Sequence, residues 1–78
     1  MEELKNKIIK IIAKELDVSP RSIKDNTLIQ EDLGADSLDV IHIVMIIENS
    51  FNIEINEDTL TEFKAVGDIV NRLSTIVN

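Results

Sequence analysis

Three stretches of the chain repeat apolar residues at the spacing of an α-helix, over residues 3–16, 38–51 and 66–77. In the first and last stretches the apolar positions recur at the helical period, which is typical of helices that bury one face. The middle stretch is apolar on almost every side. We therefore expect this second helix to be central in a bundle, to present apolar surface to a partner, or both.

The segments between these helices contain residues that favour turns and loops. Ser19 and Pro20 suit the N-cap and first position of a short helical turn, and residues 24–35 form a long loop that Gly34 ends. Residues 52–56 are expected to be an extended link, because no second strand is available to pair with them, and residues 57–63 suit a short helix. The pattern predicts one all-α domain over residues 1–78, a four-helix bundle with three longer helices, one short helix and a long first loop.

Composition excludes several classes of function. The chain has 78 residues and no cysteine, so disulfides, thiolate metal sites and a cysteine nucleophile are excluded. Its net charge of −7 argues against a nucleic-acid binder. The longest apolar run, residues 43–47, is far short of the ~20 residues of a membrane span, and the N-terminus lacks the apolar region of a signal peptide. We expect a small acidic monomer in the cytoplasm, with no nucleic-acid partner.

Nearly all of the negative charge lies in one part of the chain. Residues 31–68 contain ten acidic residues and a single lysine or arginine, Lys64, whereas the remaining segments are close to neutral. Such a field either keeps the protein soluble or attracts proteins with basic patches. Both interpretations stay open from charge alone.

The start of the second long helix has the most distinctive chemistry. Asp36 suits the N-cap and Asp39 falls at the third helical position, an acidic relative of the capping box. Ser37 would then be the first helical residue, where free backbone N–H groups and the helix dipole favour an anion. A phosphodiester on its oxygen would be stabilised there, although the two aspartates oppose it unless they attract a modifying enzyme or its metal ion. Alternatively, Ser37 merely follows the cap, as serines often do.

Catalysis by this serine is not expected. The single histidine, His42, is five residues further along the helix, a rotation of about 140°, so it does not reach the Ser37 hydroxyl as a base. The neighbouring aspartates do not match the ligand spacing of an EF-hand loop, so we expect no defined metal site. Loose binding of divalent cations by the acidic segment stays possible. The chain is not expected to be an enzyme.

The block EDLGADSLDV, followed downstream by FKAVGDIV, resembles the acyl carrier proteins of fatty-acid synthesis. The resemblance covers essentially the whole chain, including its length, acidity, helix order and long first loop. It implies that a phosphopantetheinyl transferase (holo-acyl carrier protein synthase) attaches 4′-phosphopantetheine from coenzyme A to Ser37. The thiol of this arm would carry growing fatty-acyl chains as thioesters to fatty-acid synthesis enzymes that have basic patches.

The same resemblance implies two sets of residues around Ser37. One set is implied to recognise partner proteins: Asp36, Leu38, Asp39, Met45 and Glu48. The other set is implied to line a cleft for the acyl chain: Ile43, Ile47, Ile55, Leu60 and Phe63. The chain departs from the family pattern where His42, Asn49 and Ser50 stand in place of acidic residues. From the sequence, His42→Glu is therefore expected to strengthen binding to a basic partner such as a ketoacyl synthase.

Two other functions stay open at this point. The chain is either a fatty-acyl carrier, a specialised carrier of aminoacyl or polyketide units, or a small acidic domain that binds proteins or divalent ions without a prosthetic group. The GADSLD block and the strong acidity favour the fatty-acyl carrier.

Overall fold

The computed structural model describes residues 2–77. Four α-helices follow one another along the chain, and a 3₁₀ turn over Pro20–Ser22 interrupts the first loop; the helices are α1 (Glu2–Leu16), α2 (Ser37–Phe51), α3 (Glu57–Leu60) and α4 (Val66–Val77). The described part of the chain has no β-strand longer than an isolated bridge. The predicted fold, with three longer helices, a short one and a long first loop, is confirmed.

Local residues explain where the elements begin and end. Ser19 accepts a hydrogen bond from the backbone N–H of Arg21 (3.3 Å) and so caps the 3₁₀ turn that starts at Pro20, as predicted. α2 ends because Asn52 adopts a left-handed conformation with φ of 54°, which asparagine tolerates better than most residues. The short helix stops at Leu60, three residues earlier than predicted, because the following segment turns to bury Phe63 in the core.

The core consists almost entirely of aliphatic side chains. α1 packs against both α2 and α4. The largest fully buried side chains come from all three long helices and the first loop: Ile8, Ile12, Ile29, Ile43, Ile47, Val66, Ile69 and Leu73. Burial of these side chains is the main stabilising contribution to the bundle.

The long first loop is joined by hydrogen bonds to the connection between α3 and α4. The Ile29 N–H donates to the carbonyl oxygen of Lys64 (2.9 Å), and the Val66 N–H donates to the carbonyl oxygen of Thr27 (2.9 Å). These bonds flank an isolated antiparallel bridge, which the sequence analysis did not predict. The two segments thus form one continuous wall beside the start of α2.

Gly67 allows the closest approach of these two segments. Its N–H donates to the carbonyl oxygen of Asp25 at 2.8 Å, and a Cβ atom at this position would lie 2.9 Å from that oxygen. Any side chain here would force the loop and α4 apart. The Asp25 carboxylate also pairs with Lys5 of α1 at 2.9 Å, so the loop is tied to two helices.

No helix in the described residues 2–77 has the length and apolar character needed to cross a membrane.

Candidate functional site

Ser37 is the first residue of α2, and its side chain is exposed. Within the part of the chain that the structure describes, its hydroxyl has no hydrogen-bond partner. A hydroxyl with neither cover nor partner is accessible to an enzyme that modifies it. The helix start also directs backbone N–H groups towards this position, which favours a negatively charged group on the oxygen.

The two flanking aspartates form the predicted capping box. Asp36 Oδ1 accepts a hydrogen bond from the Asp39 N–H (2.8 Å), and Asp39 Oδ2 accepts one from the Asp36 N–H (3.2 Å). N-cap bonds of this kind typically stabilise a helix by about 1 kcal/mol. The box fixes the backbone on both sides of Ser37 and therefore holds its side chain outward.

The loop that leads into Ser37 is also held in place. Gly34 adopts a positive φ of 75°, which lets the chain reverse direction without steric strain, and its N–H donates to the carbonyl oxygen of Gln30 (3.1 Å). The next residue, Ala35, is buried, and its N–H donates to the carbonyl oxygen of Ile29 (3.3 Å). Ser37 is thus only two residues from an anchored position.

A groove of about 670 Å³ begins beside Ser37. Its lining combines the first loop, the first turns of α2 and the segment from α3 onward, and is mainly apolar. The apolar side chains are Leu28, Val40, Ile41, Leu60 and Phe63. Lys64 and Glu31 add one charge of each sign to the same lining. A flexible group attached to Ser37 would therefore have an apolar surface next to it.

The structure separates the residues predicted for an acyl pocket into two groups. Leu60 and Phe63 line the groove, whereas Ile43, Ile47 and Ile55 are buried in the packed core. The role of all five in binding an acyl chain stays a prediction.

Sequence reasoning did not identify the groove residues Val40 and Ile41. Both are apolar and lie three and four residues after Ser37, so helical spacing puts them on the same side of α2 as the serine. That spacing was the available signal. Two further lining residues that were not predicted, Leu28 and Lys64, come together through the pairing of the first loop with the connection after α3.

The residues predicted to recognise partners differ in their exposure and in their hydrogen bonds within the protein. Leu38 and Met45 are strongly exposed, at 74% and 53% of their surface. Asp36 and Asp39 lie at the surface but are bonded to each other's backbone. Glu48 is half-buried, and its Oε2 accepts a hydrogen bond from the Ile55 N–H at 2.7 Å.

The histidine faces another helix rather than the serine. His42 Nδ1 lies 3.1 Å from Oε2 of Glu15, near the end of α1. Within residues 2–77 no group of three or more histidine, aspartate or glutamate side chains is arranged to hold a metal ion.

Comparison with known proteins identifies this kind of site. The family model described as "Phosphopantetheine attachment site" matches residues 6–73. An acyl carrier protein from Wolinella succinogenes is 41% identical over 68 residues, covering 87% of this chain and 90% of its own. One from Buchnera aphidicola is 39% identical over 75 residues, covering 92% of this chain and 96% of its own.

Solved structures give the same result. An acyl carrier protein from Enterococcus faecalis superposes with a TM-score of 0.80 at 31% identity, covering 95% of this chain and 94% of its own. The family match, over residues 6–73, includes the capped serine, the groove, the whole of α2 and α3 and most of α1 and α4. This chain therefore belongs to the acyl carrier protein family: it is a carrier with a phosphopantetheine attachment site, and not an enzyme.

Proposed function

We propose that this carrier holds growing fatty-acyl chains as thioesters on a 4′-phosphopantetheine arm attached to Ser37, and delivers them to the enzymes of fatty-acid synthesis. The observation that carries the proposal is the position of Ser37, an exposed hydroxyl without a partner among the described residues, at the edge of an apolar groove. An attachment point and a place for an apolar chain are thus next to each other.

The residues around Ser37 fit a phosphodiester-linked group. The serine oxygen is free to form the bond, and the N-terminal N–H groups of α2 favour the negative charge that it introduces. Lys64, the only lysine or arginine in residues 31–68, lines the same groove. When bound, the group supplies a terminal thiol, which this cysteine-free chain lacks.

The apolar groove supports the choice of a fatty-acyl cargo. Transfer of methylene groups from water to an apolar surface is favourable by about 0.8 kcal/mol each when they are fully buried. Leu60 and Phe63 line this groove and would contact a chain that enters it. A longer chain would have to open the packed core before it touched the buried Ile43, Ile47 and Ile55. An interior of aliphatic side chains suits such an opening, because few large rings must move.

The surroundings of Ser37 support recognition by enzymes with basic patches. The carboxylates of Asp36 and Asp39 lie close to the serine in the chain, and the exposed Leu38 and Met45 offer apolar contacts. A recognition role for Glu48 stays a prediction, as does a cytoplasmic, monomeric carrier formed by the single domain of residues 1–78.

Attachment is tested by intact-mass spectrometry. The purified chain is incubated with coenzyme A, Mg²⁺ and a phosphopantetheinyl transferase, and we expect the mass of one phosphopantetheine to be added. Ser37→Ala should abolish the gain, whereas Ser50→Ala, which changes another exposed serine of α2, should leave it intact. No gain in the wild-type chain, or a gain that survives Ser37→Ala, contradicts the proposal.

The cargo is tested separately on the loaded chain. Fatty-acyl groups and aminoacyl groups are attached to the arm, and resistance of each thioester to hydrolysis is compared. Relative to the same thioester on free pantetheine, the groove predicts that hydrolysis is slowed for the fatty-acyl form, because an apolar chain in the groove shields the bond from water. Equal slowing of the two thioesters, or none for the fatty-acyl form, would favour a specialised carrier of another unit.

A further inference from the structure

One lysine borders the groove that begins beside Ser37. Lys64 is exposed and lines this groove together with the apolar side chains of Leu60 and Phe63. The structure describes all six lysines of the chain, and the other five, on α1 and in the first loop, are not among the residues that line the groove. Lys64 is therefore the amine that a group lying in the groove would contact.

The backbone of Lys64 is held by three hydrogen bonds. Its N–H lies 3.1 Å from Oδ2 of Asp68 and 3.1 Å from the carbonyl oxygen of Glu62, and its own carbonyl oxygen accepts a bond from the Ile29 N–H at 2.9 Å. These bonds join the residue to α4 and to the first loop. The side chain therefore starts from a fixed point on the wall of the groove.

The amino group of Lys64 is not used to hold the fold together. Among the side chains that the structure describes, its Nζ has no ion-pair or hydrogen-bond partner, whereas Lys5 pairs with Asp25 at 2.9 Å. Glu31 lines the same groove but makes no ion pair with it. An amine without a carboxylate partner is available to react with a group that enters the groove.

The proposed cargo bond is of a kind that amines attack. An unprotonated lysine amine is a nucleophile towards carbonyl carbons. An acyl chain in the groove would bring its thioester to the same wall, because the arm tethers it to Ser37, which also lines the groove. A short flexible tether of this kind gives an effective concentration of about the millimolar range, far above that of a second molecule in dilute solution.

We propose that Lys64 is a self-acylation site, to which the acyl group of the carrier's own thioester passes slowly. Lys64 Nζ attacks the carbonyl carbon; a C–N amide bond forms and the C–S bond breaks. The sulfur leaves as a thiol and takes up the proton that the nitrogen loses, so no further reactant is consumed. The arm is then free, while the acyl group stays at the groove as an amide. This inference rests on the proposed fatty-acyl thioester arm at Ser37.

The test follows the acyl group on the loaded chain. The chain bearing an eight-carbon acyl thioester is incubated at about pH 9, which raises the unprotonated fraction of lysine amines. Hydroxylamine then removes acyl groups held as thioesters and leaves those held as amides. We expect intact-mass spectrometry to show a retained acyl group, and peptide mapping to place it on Lys64 at least about tenfold above any other lysine.

Two matched substitutions identify the nucleophile. Lys64→Arg keeps the positive charge but replaces the amine with a guanidinium that stays protonated, so the retained acyl group should disappear. Lys24→Arg makes the same change at an exposed lysine of the first loop, outside the groove, and should leave the retained acyl group unchanged. Because both lysines are exposed, we expect the unfolding midpoints of the two variants to match that of the wild-type chain.

A third variant separates transfer within one molecule from transfer between molecules. An isotope-labelled Ser37→Ala chain has no attachment point, so its Lys64 is acylated only by another, loaded chain. In a mixture at micromolar concentration we expect the labelled chain to gain at least about tenfold less acyl amide than the loaded chain, because only the loaded chain has a tethered thioester.

The opposite results overturn the inference. They are a retained acyl group spread evenly over the six lysines, one that survives Lys64→Arg, equal acylation of the labelled Ser37→Ala chain, or complete hydrolysis of the thioester with no amide formed. Any of these, found on a chain that is loaded normally at Ser37, overturns the inference and leaves the proposed function standing. Failure of the wild-type chain to be loaded at all overturns both.

Discussion

At the N-terminal end of α2, Asp36 and Asp39 accept each other's backbone N–H groups and leave Ser37 exposed between them. At the C-terminal end, Glu48 turns its carboxylate onto the backbone of Ile55 and closes the link to α3. Acidic side chains of one helix thus serve two purposes: one pair orients a site, and the other residue fastens a loop. An acidic side chain on this helix is therefore not by itself evidence that a partner protein binds it.

The largest loss of stability is expected at the C-terminal end of α2, where Glu48 bonds to the backbone of Ile55. Glu48→Ala removes the acceptor for the N–H of Ile55, and Ile55 is buried, so we expect the free energy of unfolding to fall by about 1–3 kcal/mol. Urea denaturation measures this loss. Glu54→Ala is the matched control, because Glu54 is exposed and has no hydrogen bond among the described contacts, and it should change stability by less than about 0.5 kcal/mol. Equal effects of the two substitutions would show that Glu48 does not fasten the link.

A smaller loss of stability is expected at the N-terminal end of α2, where Asp36 is the N-cap. Asp36→Ala removes the N-cap acceptor and should cost about 1 kcal/mol, whereas Asp36→Ser keeps an acceptor and should restore most of this stability. The serine variant also removes the charge. If Asp36 contacts the transferase through its charge, loading should weaken in both variants although only one is less stable. If loading instead weakens only in the less stable Asp36→Ala variant, Asp36 acts only as the helix cap.

The smallest loss of stability is expected in the middle of α2, at His42. The sequence predicted that His42→Glu strengthens binding to a basic partner. In the structure the new carboxylate would face Glu15, so we expect a loss of stability of up to about 0.5 kcal/mol and no gain in binding. Denaturation and titration with a ketoacyl synthase measure the two effects, and His42→Gln controls for the loss of the ring. Tighter binding of the His42→Glu variant would restore the sequence-based expectation.

Much of the fold followed from local sequence signals. The four helices, the 3₁₀ turn after Ser19 and the capping box at Asp36 depend on residues close together in the chain, and all are confirmed. The exposed position of Ser37 follows from the same box. Such features are predictable because their hydrogen bonds span only a few residues.

The features that were not predicted depend on contacts between distant segments. The pairing of the first loop with the segment after α3 joins Leu28 to Ala65, and it brings Lys64 to the groove. Similarly, a glutamate bonded to a backbone N–H seven residues away looks the same in the sequence as a free one, so Glu48 was assigned to partners alone. Only the folded structure distinguishes a carboxylate that is hydrogen-bonded within the protein from one that is not.

If the proposed function is right, Ser37 and the adjacent groove together carry an acyl chain. The direct measurement compares unfolding midpoints of the chain loaded with the arm alone and with the arm bearing an eight-carbon acyl group. Burial of even a few methylenes in the groove should raise the midpoint by at least about 4 °C, since one kcal/mol shifts a domain of this size by about 4–8 °C. Identical midpoints would contradict the account, because the acyl chain would then lie in solvent and the groove would have no part in carrying it.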